Sequence, residues 1–172
     1  DGCSDTCAIE GGFACSGQPT TCSVVPSPQD EAQQKCIVAQ NRSAAKLADA
    51  WSADAARCIS AAGAGNLSLL GAPGTAQACL TNDVMGRVET AETRLGDKAY
   101  AACSLMENQR PVYAYVESDA IVAGVRTQAI GLTEDLFGPD LDATIVSAST
   151  DKRGATCQSQ LQKSAASILK SS

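Results

Sequence analysis

The chain has 172 residues, nine cysteines, no histidine and a net charge of −6. Without histidine, Ser-His-Asp and Cys-His catalytic sets and His-ligated zinc or haem are excluded. Thirteen basic residues scattered among nineteen acidic ones argue against a nucleic-acid partner, and no apolar run approaches the roughly 18–20 residues of a membrane span.

Residues 1–25, DGCSDTCAIEGGFACSGQPTTCSVV, carry four cysteines, several glycines and no helical period. They read as a small loop-rich disulfide module, too short for a core of its own. The nested pairs Cys3–Cys22 and Cys7–Cys15 are one of three connectivities, and sequence does not choose among them. The chain opens on Asp1, so a removed signal or a larger upstream region is expected. The pattern formed by Asp1, Gly2, Cys3, Ser4, Cys7, Glu10, Gly12, Phe13, Cys15, Gly17, Pro19 and Cys22 resembles the second half of the Myxococcus cysteine-rich repeat. The repeat's first half, with its own two cysteines, is absent. The resemblance implies a secreted or surface protein of myxobacteria or their relatives, and no particular activity.

Residues 27–172 read as an all-α domain. Ser27 is a good N-cap, Pro28 suits a first helical position, and Asp30 and Glu31 favour the first turn. A helix is expected to run from there to Ala62, stopped by Gly63, with one apolar face through Cys36, Ala44, Leu47, Trp51, Ala55 and Cys58. After a loop over 63–74, a second helical stretch spans about 75–106, with a break expected at Thr81-Asn82-Asp83. Asn108 to Tyr115 is a connector containing Pro111. Ser118 caps a third helix over about 119–136, ended by Phe137-Gly138-Pro139. Leu141 to Ala148 reads as a short helix or irregular chain. Ser149 or Asp151 opens a last helix reaching about Lys170. The expected architecture is mainly α: a disulfide-stapled antiparallel helical hairpin, extended to a bundle of about four helices.

Cysteine spacing carries the sharpest inference. Nine cysteines without CxxC or His point to disulfides in an oxidising compartment rather than to zinc. Cys36 and Cys58 lie on nearly one helix face, roughly 33 Å apart along the axis, and Cys79 and Cys103 are roughly 36 Å apart. In an antiparallel pair, Cys58 then faces Cys79 near the loop and Cys36 faces Cys103 at the far end. The phase of Cys79 and Cys103 fits less well on one unbroken helix, and a break near Asn82 repairs it. Cys157 is left over. It bonds another chain, meets a partner beyond this segment or an N-terminal cysteine, or stays a free thiol. The segment LFGPDLD (136–142), followed by Asp151, Lys152, Ala155, Cys157 and Gln158, resembles uncharacterised helical regions in secreted proteins of the same bacterial groups.

No GxSxG, GxxxxGK[ST] or GxGxxG motif occurs. The carboxylate pairs Glu134/Asp135 and Asp140/Asp142, and the repeat's Asp1 and Asp5, read as solvated faces and caps. No catalytic residue, cofactor or metal is expected. The residues favour a non-catalytic secreted or cell-surface structural protein, a candidate self-assembling subunit of an extracellular filament or surface layer. It would associate with itself or with another extracellular protein. The alternative is an extracellular binding or adhesion module for a protein or sugar, with Tyr113 and Tyr115 as the ligand-contact candidates.

Overall fold

The structure is a computed structural model and describes residues 13–16, 21–24, 29–104, 110–111 and 115–171. Two short strands, β1 (Phe13–Ser16) and β2 (Thr21–Val24), pair antiparallel with Cys15 opposite Cys22. The amino-terminal part is therefore not wholly irregular: Phe13, Thr21 and Val24 are residues suited to a pleated strand.

The rest is a helical bundle built around one long helix, α1 (Glu31–Ala64). Its N-cap is Asp30, not Ser27, which lies outside the described residues. Asp30 wins because Gln33 stands three residues on and completes a capping box. The Gln33 N–H donates to Asp30 Oδ1 at 2.8 Å, and the Asp30 N–H donates to Gln33 Oε1 at 3.0 Å. At the other end, Gly63 does not stop the helix. Gly65 does, in the left-handed region at φ 70°. Gly63 stays helical and buried, and its carbonyl accepts the Ala148 N–H at 2.6 Å.

The predicted break in the second stretch is present. Helix α2 covers Ala76–Asn82 and α3 covers Arg87–Cys103. Asp83 turns left-handed at φ 41°, and its carboxylate accepts the N–H groups of Arg87 at 3.0 Å and Glu89 at 2.8 Å. Helix α4 is Ser118–Phe137, α5 is Leu141–Thr144 and α6 is Lys152–Ser171. Ser118 is the first residue of α4 rather than its cap; Glu117 holds the cap position without a side-chain cap bond. Asp151 opens α6 by accepting the Arg153 and Gly154 N–H groups, both at 3.0 Å.

Helix α1 packs against α3, α4 and α6 together. At about 100° per residue, Cys36, Gln40, Ser43, Leu47, Trp51, Asp54 and Cys58 form one buried stripe. Ser52, Ala55, Ile59 and Gly63 form a second, turned by roughly 100°. Of the single apolar face expected from sequence, Cys36, Leu47, Trp51 and Cys58 lie in the first stripe, Ala55 lies in the second, and Ala44 is partly buried. One core cluster joins Leu47, Trp51, Val88 and Leu95. Another joins Ala55, Ile59, Ala76, Leu80, Phe137 and Leu141. Among the described residues no helix is long and apolar enough to cross a membrane.

Candidate functional site: cystine rungs, an exposed thiol and a cationic groove

Two cystines join the hairpin. Cys36 bonds Cys103 with Cα atoms 4.8 Å apart, and Cys58 bonds Cys79 at 5.7 Å. These are the pairs that the spacing gives, and the Asp83 break supplies the phase correction that one helix lacked. Both distances lie in the normal range for a disulfide. The other proposed pairs, Cys3–Cys22 and Cys7–Cys15, involve Cys3 and Cys7, which lie outside the described residues. Of Cys15 and Cys22 only the backbone register is described.

The inner rung is built into a buried polar corner. Asp54 is 1 % exposed and pairs with Arg57, whose Nη2 lies 3.0 Å from Asp54 Oδ1. Arg57 also donates to the Leu69 carbonyl, and its Nη2 lies 3.6 Å from Cys79 Sγ. One guanidinium thereby closes the 65–70 loop over the cystine. Burial raises the Asp54 pKa; the Arg57 hydrogen bond and charge pull it down and do not cancel the rise.

Helices α4, α5 and α6 add to their apolar packing polar links made by Gln77 and Gln158. Gln77 donates from its N–H to Asp142 Oδ1 at 3.1 Å and accepts the Leu141 N–H on Oε1 at 3.2 Å. Its Nε2 donates to Glu134 Oε1 at 3.4 Å. Gln158 donates to the Thr144 carbonyl at 2.9 Å and accepts the Val146 N–H at 3.0 Å. Glu134 and Asp142 therefore serve as acceptors for α2, and Asp140 caps α5 by accepting the Ala143 N–H at 3.1 Å. Among the described residues no three His, Cys, Asp or Glu side chains form a metal-sized group. Tyr113 lies outside the described residues. The Tyr115 hydroxyl donates to Glu117 Oε2 at 3.2 Å, and its ring lies 5.6 Å from the Arg110 guanidinium. Burial is the first cause of its raised pKa.

Cys157 is a free, exposed thiol on α6. The opposite side of that helix, with Ala155 and Gln162, is buried against the bundle. Leu161, one turn beyond Cys157, is 44 % exposed. The outward face thus combines a thiol with an apolar side chain.

Sequence reading missed one surface. A groove of about 640 Å³ between α1 and α3 is lined by Lys46, Arg87, Arg94 and Lys98, with Asp49 as the one lining carboxylate. The signal was available in the helical phase of α3, but a count of charges along the chain hides it. The chain matches no family model, no curated protein and no solved structure.

Proposed function

We propose that this is a non-catalytic structural protein of the cell exterior that cross-links covalently to a second copy through Cys157. One observation carries the reading. Cys157 is solvent-exposed, whereas the four other cysteines of the helical region are closed into two cystines. Exposed Leu161 beside it supplies apolar area for an α6-to-α6 contact across a two-fold axis. Two cystines support an oxidising compartment, as does the resemblance of residues 1–22 to a repeat of secreted proteins. In forming the bridge, two thiols lose two protons and two electrons to an exchanging disulfide or to dioxygen. Isologous bridging at one cysteine gives dimers; a filament or surface layer needs a second contact on each copy.

Non-reducing electrophoresis of the oxidised full chain tests this. A dimer band that disappears with reductant and in Cys157→Ser supports the reading, provided the variant keeps its helical circular dichroism. A monomer band with one titratable thiol per chain overturns it.

A further inference from the structure

We propose that the groove between α1 and α3 binds a linear polyanion, an acidic polysaccharide carrying carboxylate or sulfate groups. The first support is angular. Taking Arg87 as zero and about 100° per residue, Arg94 falls near −20° and Lys98 near +20°. Glu89 and Glu92 fall near 200° and 140°, on the far side of α3. The third acid, Asp97, falls near −80°, so the three cations share one edge of a helix that carries as many acids, none of which lines the groove. Along the axis the three are spaced by roughly 10 and 6 Å, a line rather than a cluster. Lys46 of α1 faces them across the groove.

The second support is charge. Four cations against one carboxylate give the groove an excess of three positive charges, on a chain whose net charge is −6. Among the described residues the ion pairs are Lys35–Glu31, Arg57–Asp54 and Arg110–Glu117, and none uses these four cations. The arrangement opposes helix stability. Arg94 and Lys98 are like charges at i and i+4. Arg87 stands in the first turn, at the positive end of the helix dipole. A surface shaped only for folding would place acids at these positions.

The third support is shape. The α3 N-terminus offers no open cradle for a compact phosphate, because Asp83 already accepts the Arg87 and Glu89 N–H groups. The trough is lined by small and aliphatic side chains, among them Ala50, Ala91, Met85 and buried Leu95, and among the described residues no aromatic side chain lines it. A nucleic acid strand would lack a stacking platform there. A slender chain with repeated charges and no need for stacking fits best. The proposal is independent of Cys157, which lies on α6.

The test is calorimetric titration of the full chain with polygalacturonate and with heparin, at low and at moderate salt. Neutral dextran and a single-stranded DNA oligonucleotide are the comparison ligands. Binding of at least one acidic glycan, weakened by salt and absent with dextran, is the expected result. Reversing two groove charges, Arg94→Glu with Lys98→Glu, should weaken it by roughly tenfold or more. The milder Arg94→Gln with Lys98→Gln should lower it in the same direction. Lys152→Glu with Arg153→Glu changes net charge equally on α6 and should leave affinity within about twofold. The proposal is overturned if neither glycan binds at low salt, if the α6 reversal weakens binding as much as the groove reversal, or if DNA binds more tightly than both glycans.

Discussion

Helices α1 to α3 and helices α4 to α6 are held by different means. The first group is closed by two cystines and a buried Asp54–Arg57 pair. The second packs on the first through apolar side chains such as Ile130, Phe137 and Leu141, with polar links from Gln77 to α5 and from Gln158 to Thr144 and Val146, and carries the unbonded Cys157. Each group has a constraint beyond apolar packing, covalent in the first and hydrogen-bonded in the second. In the hairpin that constraint acts mainly by limiting the unfolded chain. In the flanking helices it acts only in the folded state. The flank should therefore open first under stress, and it is the flank that presents the thiol.

Removing the cystines tests this contrast most severely. Chain entropy alone assigns about 4 kcal/mol to the Cys36–Cys103 loop and about 3 kcal/mol to the shorter Cys58–Cys79 loop. Replacing each pair by alanines should lower the urea midpoint in that order. If the inner pair costs more, the Arg57 corner depends on its cystine beyond loop entropy.

A smaller effect is expected at Gly71, inside the braced half. Its φ is +71°, and a Cβ there would lie 2.8 Å from Val84 Cγ2. Gly71→Ala combines a strained backbone with overpacking and should cost about 2 kcal/mol in thermal unfolding. A neutral result would mean that the cystines let the 65–75 loop rearrange at little cost.

Gln158 provides the matching test of the flank. Gln158→Ala removes the bonds to Thr144 and Val146 and should cost about 1–2 kcal/mol. Hydrogen exchange should quicken in α6 while α1 and α3 stay protected. Equal loss of protection in α1 and α3 would join the two regions into one cooperative unit.

The two regions also differ in how far sequence reveals them. Cysteine spacing gives both rungs, because a covalent bond must satisfy distance and phase together. The break at Asp83 is legible for the same reason, as it repairs the phase of Cys79. Helix ends are legible only to within a few residues. Capping is a local competition, and Asp30 with Gln33 outbids Ser27, as Gly65 does Gly63. The amide links of Gln77 and Gln158 have no period and leave no trace in a pattern search. Lys46 joins the α3 cations only once the antiparallel register is known, so the groove needs the fold before it can be read.

The smallest expected effect is a change of slope with pH, at the corner where the braced half carries a buried charge. Burial raises the Asp54 pKa above its ordinary value despite Arg57. The folded state then keeps a proton that the unfolded state has released. Fewer protons bound to the unfolded chain means that stability falls as pH rises. Asp54's stabilising contribution is complete below the ordinary carboxylate range and is lost as pH climbs through the raised folded-state value. Asp54→Asn removes the titration and keeps the side chain's shape. The stability of the parent chain relative to this variant should decline from acid to neutral pH and then level off, measured by urea unfolding at several pH values. A difference that grows with pH would mean that Arg57 outweighs desolvation and the ion pair is a net stabiliser. The expected decline would instead leave the two cystines as what holds this corner closed at neutral pH, against the cost of its buried charge.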